Sequence, residues 1–190
     1  MAATETTNDA TIIVKPKDEG KVDVVETPFG TTVTASQPVT KLSFEVIDGG
    51  ALTSTGAAIK QAKFSFTGAG SVEISNDVAN DIKILGSDSA NGFSLGDVGS
   101  TVKNAKINAG DGADSVTAAG ASLKNIKIDL GVDTEADNVT LDSDLSTVKN
   151  MVIKNFGQED TFTVGGDTYT YDDLKADPQA FKPNITFKFS

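Results

Sequence analysis

A repeat of 20 to 25 residues runs through the middle of the chain and leaves few folds open. Four segments align: NDIKILGSDSANGFSL (80–95), KNAKINAGDGADSVTA (103–118), KNIKIDLGVDTEADNVTL (124–141) and KNMVIKNFGQEDTFTV (149–164). The third carries a two-residue insertion. A weaker copy is KQAKFSFTGAGSVEI (60–74), and a fainter one begins at Val39. Five apolar columns emerge. One is Phe44, Phe64, Ile84, Ile107, Ile128, Ile153. The residues two before it are Leu42, Ala62, Ile82, Ala105, Ile126, Met151, and those five before it are Val39, Ile59, Ala79, Val102, Leu123, Val148. A later column is Leu52, Val72, Phe93, Val116, Val139, Phe162, followed two residues on by Ile74, Leu95, Ala118, Leu141, Val164.

Columns two residues apart share one face of a strand. Glycine, Asp, Asn and Ser fall between them, where turns need them. Each copy therefore holds about three short strands, and the copies bury their inward columns on one another. The pattern predicts an all-β chain: a single parallel β-helix (β-solenoid) of about six rungs, with roughly 22–23 residues per rung. Residues 39–164 form the solenoid, 1–38 an N-terminal extension with short strands, and 165–190 a C-terminal cap with a closing strand. Helical solenoids fail because the period within each copy is 2, and propeller blades fail because the copies are too short for four strands.

Both ends of a solenoid expose unpaired backbone and need caps. Residues 11–15, 21–25 and 30–35 read as strands; residues 1–10 are unpatterned and are expected to be disordered. A helical turn is expected within 171–181 and a closing strand at 184–190. Each terminal strand can seal its own chain or pair with the next one. The second arrangement is a head-to-tail contact that propagates into a filament.

The residue types present limit the chemistry. The 190 residues carry a net charge of -11, and all 16 basic residues are lysine. There is no His, Cys, Trp or Arg. Thiolate chemistry, histidine acid–base catalysis and Cys/His zinc sites are excluded. The acidic balance argues against nucleic acid as a partner. No run is long and apolar enough for a membrane span, and no leader pattern opens the chain, so an export route is not visible in the sequence.

Polar columns stack as well. Gln61, Asp81, Asn104, Asn125 and Asn150 follow the first strand of each rung and suit a hydrogen-bonded ladder. Asn91, Asp114, Asp137 and Asp160 are spaced by 23 residues. Stacked carboxylates repel, so this column wants a counter-charge, and Ca²⁺ with its oxygen ligands is the natural one. Alternatively these Asp side chains accept turn N–H groups and face water. Lys60, Lys103, Lys124, Lys149 form one basic column and Lys63, Lys83, Lys106, Lys127 another. Such stripes suit a solvated face or the grip of an acidic polysaccharide.

The segment Ala109-Gly110-Asp111-Gly112-Ala113-Asp114-Ser115-Val116-Thr117 resembles the haemolysin-type (RTX) calcium nonapeptide, with Ala109 in place of the first glycine. The tail VIKNFGQEDTFTVGGDTYTYDDL is similar to regions that close such arrays. Family motifs recur every nine residues, whereas the related turn here recurs every 23. The resemblance implies a calcium-stabilised solenoid of the bacterial surface or extracellular matrix. It carries over to Gly110, Asp111, Gly112 and Asp114; the acid columns add Asp133, Asp137 and Asp160 as candidate Ca²⁺ ligands.

The expected function is that of a non-enzymatic structural protein, a subunit of an extracellular filament, surface layer or matrix. It is expected to pair with itself, with a polysaccharide as a further possible partner. The alternative is a polysaccharide-binding or polysaccharide-degrading β-helix. Ice or mineral binding would use a flat Thr face, of which Thr117, Thr140 and Thr163 give one row.

Overall fold

The computed structural model describes residues 3–14, 16–142 and 144–190. The chain coils into a parallel β-solenoid of about 6 turns, about 21 residues per turn. One rung shows the plan. Thr101–Lys103 forms the first strand, Lys106–Asn108 the second and Ser115–Ala118 the third. Among the described residues, first and second strands stack into a 13-stranded sheet, sheet A, and third strands into a 9-stranded sheet, sheet B. Parallel strands in register bring each residue over its counterpart about 4.8 Å away.

The predicted columns are the core. Phe44, Phe64, Ile84, Ile107, Ile128 and Ile153 pair in one continuous register. Val72, Phe93, Val116, Val139 and Phe162 do the same on the facing sheet. Every member of the five columns is buried. The Phe44 and Phe64 rings stack at 4.5 Å between centroids, so the column continues as π-contact as well as apolar burial.

The predicted polar ladder sits at the bend between first and second strands. Gln61, Asp81, Asn104, Asn125 and Asn150 all have φ between 53° and 58°, and Lys41 at φ 63° extends the series. This left-handed conformation turns the chain within one residue, and Asn tolerates it better than most side chains. Asn150 donates to Asn125 at 3.1 Å, Asn125 to Asn104 at 2.9 Å, and Asn104 to Asn80 at 3.0 Å. The amides thus form a spine along the outside of sheet A.

The ends differ from expectation in two places. Ala3–Thr6 is a strand, pairing antiparallel with Ala10–Val14, so residues 3–10 are not the disordered arm the sequence suggested. Pairing supplies the order that local composition does not. Residues 1, 2 and 15, which fall in that expected arm and in the strand expected over 11–15, lie outside the described residues. Gly30–Ala35 stacks parallel on Gly50–Gly56, so the first strand of the coil lies ahead of Val39.

Both ends are closed by the chain's own strands. Ala10–Val14 covers Ser43–Val46, and Val22–Thr27 covers Gly30–Ala35, both antiparallel. At the other end Asp167–Thr170 pairs antiparallel with Thr161–Val164, and the closing strand Ile185–Phe189 pairs parallel with Val148–Phe156. The helical turn is Tyr171–Ala176, held by a capping box between Thr170 and Asp173. It seats Leu174 in the core beside a cluster of Phe162, Phe181 and Phe187. Among the described residues no helix is long and apolar enough to cross a membrane.

Candidate functional site

The turn between the second and third strands brings the predicted acids to one edge of the rod. Its backbone is dictated by close approach. Gly110, at φ 106°, lies where a Cβ would come 2.0 Å from the Ser87 carbonyl oxygen of the rung before, and Gly112 adopts φ 99°. Only glycine fits such contacts at such angles. The Ala109 methyl, just before this turn, is fully buried in the core cluster with Leu130.

Asp114, Asp137 and Asp160 point inward and are buried, with Asn91 above them. Each uses one side-chain oxygen to hold the rung before it. Asp114 Oδ1 accepts the Asn91 N–H at 2.7 Å, Asp137 Oδ1 that of Asp114 at 2.8 Å, and Asp160 Oδ1 that of Asp137 at 2.9 Å. Asp160 Oδ2 also accepts the Gly157 N–H at 2.7 Å. At the head of the column Asn91 accepts from Ser87 N–H and donates to the Gly68 carbonyl at 2.9 Å. The acids do accept N–H groups, as one sequence reading held, but they do not face water.

Burial governs their titration. It pushes the Asp114 carboxyl up to about 7, against the pull of the Asn91 N–H and with help from the neighbouring Asp133 and Asp111. It pushes Asp137 up to about 8, against the Asp114 N–H and with added repulsion from Asp160, Asp114 and Asp133. Asp160 is raised by burial too, opposed by the Gly157 and Asp137 N–H groups. Asp114 Oδ2 is buried without a hydrogen-bond partner. A lone charge there is costly, so this oxygen calls for a proton or a cation.

The remaining predicted acids line the outside of the same edge. Asp133 is half-buried and its Oδ2 accepts the Gly112 N–H at 2.9 Å; Asp111 is exposed. Toward the C-terminal end the edge opens into a cleft of about 350 Å³ lined by Asp133, Glu135, Asp137, Glu159, Asp160 and Tyr171. Sequence reasoning did not single out Glu135; its spacing matches no column, because it sits in the two-residue insertion of its rung. Among the described residues, no three acidic side chains are gathered closely enough, as placed, to hold a metal ion.

The other faces repeat as regularly. Lys60, Asn80, Lys103, Lys124 and Lys149 register on the outside of sheet A, as do Lys63, Lys83, Lys106 and Lys127. On sheet B, Thr117, Thr140 and Thr163 stack, and a second row runs Ser71, Gly92, Ser115, Asn138, Thr161. The second row escaped the sequence reading because Gly92 and Asn138 interrupt its hydroxyls. Searched against protein families, curated proteins and solved structures, the chain matches none of them.

Proposed function

We propose that the chain is a non-enzymatic structural β-solenoid, calcium-assisted, serving as a subunit of an extracellular matrix, surface layer or filament. The observation that carries this reading is the buried Asp114–Asp137–Asp160 stack, whose carboxylates need a neutralising partner. The donors along this edge are all oxygens, the kind a hard cation such as Ca²⁺ takes. As placed these acids do not converge, so an ion would sit between two adjacent rungs, and Asp114 with Asp137, or Asp137 with Asp160, would have to draw together with Asp111, Asp133 or the turn carbonyls to hold it. Bound Ca²⁺ would supply positive charge and tie successive turns together. The protein's own part is to fix the turns, one N–H bond per rung, at the repeat of the solenoid.

The resemblance to haemolysin-type repeats supports the same reading and an extracellular setting. Growth end to end would use the outer edges of the capping strands, since the terminal strands are spent within their own chain.

Thermal melting at pH 8 with millimolar Ca²⁺, Mg²⁺ or chelator tests the metal, because a ligand of the folded form alone raises its melting temperature. The expected result is a higher melting temperature with Ca²⁺, lost on chelation. An identical melt in all three would leave protons as the neutralising partner. Light scattering across concentration tests assembly; a monomer throughout would remove the filament.

A further inference from the structure

We propose that the outer face of sheet A binds a linear carboxylated polysaccharide, laid along the rod across the two lysine columns. The inference deepens the matrix reading by naming what such a subunit would hold.

Lys63, Lys83, Lys106 and Lys127 stand directly over one another, one per rung. Lys103, Lys124 and Lys149 do the same across the bend, with Lys60 two rungs above Lys103 and Asn80 between. All eight are exposed. None of them, among the described residues, forms an ion pair or donates a side-chain hydrogen bond; the two ion pairs use Lys21 and Lys154. Like charges directly opposite on neighbouring strands are unfavourable, and among the described residues no ion pair offsets them. Acids on these strands and their bend are few: Glu45, Asp81 and Asp129, the last already paired with Lys154. Yet the whole chain carries 27 acidic residues and a net charge of -11. The lysines are therefore gathered on one face of an otherwise anionic molecule.

The arrangement selects the partner. The cations lie in line rather than converging, so they suit a polymer and not a small anion. Their repeat is one per rung, about 4.8 Å. A polysaccharide with one carboxylate per sugar offers charge at a spacing of that order, whereas duplex DNA carries one charge per about 1.7 Å. The outward residues of the rungs on this face include no aromatic side chain on which bases would stack. Lysine supplies point charges with freely rotating donors, adequate for a repeating carboxylate and less selective than the arginine fork. The amide spine of Asn104, Asn125 and Asn150 fixes the two columns relative to each other, so little order has to be created on binding.

The test is binding of end-labelled polygalacturonate to the full chain, followed by fluorescence anisotropy in chelator so that calcium bridges nothing. Chelator also separates this outcome from the calcium melts. Binding should appear with polygalacturonate and not with labelled neutral dextran. Affinity should fall as salt rises, because bound lysines release counterions. Lys106→Gln with Lys127→Gln should weaken binding at least tenfold and flatten the salt dependence. Lys17→Gln with Lys182→Gln, the same charge change off the columns, should stay within about twofold. Lys106→Arg with Lys127→Arg should retain binding and so guard against misfolding of the glutamine pair. Equal losses in the two glutamine pairs, equal binding of dextran, or no binding would overturn the proposal. So would tighter binding of single-stranded DNA, or an anisotropy rise that light scattering traces to association between copies of the chain.

Discussion

The acid column at the turn and the lysine columns on sheet A follow the same rung repeat, and each stacks like charge on like charge. Two unit charges about 4.8 Å apart repel by about 0.9 kcal/mol in water and by about 3–4 kcal/mol at an effective dielectric of 20. The lysines stand in water, where salt screens their repulsion further. Asp114, Asp137 and Asp160 are buried, and burial raises the affinity of each for a proton. In a solenoid a residue choice is multiplied by the number of rungs, and its depth decides whether the product is a solvated stripe or a titrating core.

The largest effect comes from extending the acid column's chemistry into a place without its N–H groups. Val139 is fully buried between Val116 and Phe162. Val139→Asp would bury a carboxylate with no donor, and should cost on the order of 3–5 kcal/mol in chemical denaturation. A loss below about 1 kcal/mol would mean the core admits water there.

Next is titration of the acid column itself. Folded Asp137 holds its proton to about pH 8, while the unfolded chain releases it near the ordinary value of 3.8. Between those limits the folded state binds more protons, so stability is full below pH 4 on this account and falls as pH rises toward 8. Asp114, released near pH 7, adds to the same fall. Asp137→Asn keeps an oxygen for the Asp114 N–H and removes the charge, as Asn91 does naturally at the head of the column. It should stabilise the protein by about 1–2 kcal/mol at pH 8 and by much less at pH 5. Urea unfolding at both values decides it; a variant less stable at pH 8 would show that the charged form is the one the fold requires.

The sequence made the rung plan readable because five columns keep their period through every copy, and a one-residue slip would have turned them outward. The burial of the acids was readable by the same rule. Asp114, Val116 and Ala118 are spaced by two, as are Asp137, Val139, Leu141 and Asp160, Phe162, Val164, so the acids share the inward face. Polarity obscured that inference. The partners of Ala3–Thr6 lie in a fold-back pairing that no local pattern records, and the acidic cleft depends on how the insertion around Glu135 folds over the next rung.

A smaller effect belongs to the amide spine between the lysine columns. Asn104 is left-handed and links Asn80 to Asn125. Asn104→Ala should lose about 1–2 kcal/mol, from the backbone conformation and three exposed hydrogen bonds, to Asn80, Asp81 and Asn125. Asn104→Gly relieves the backbone and should lose less. If both lose equally, the amide bonds carry the effect and the conformation does not.

The smallest effect reads the lysine columns directly. Lys83 lies between Lys63 and Lys106, with no acid opposite it. Lys83→Gln removes two repulsions and should stabilise by a few tenths of a kcal/mol; Lys83→Glu creates two attractions and should reach about 0.5 kcal/mol more. Both gains should shrink in high salt, because the charges are exposed. The opposite trend would be informative: a salt-independent gain would place the effect in strand propensity. A loss on either substitution would mean that Lys83 is held by its stem packing along the sheet. If the gains appear and shrink with salt, the wild-type lysine columns lower the stability of the free rod. A bound polyanion would then raise that stability by removing the same repulsion.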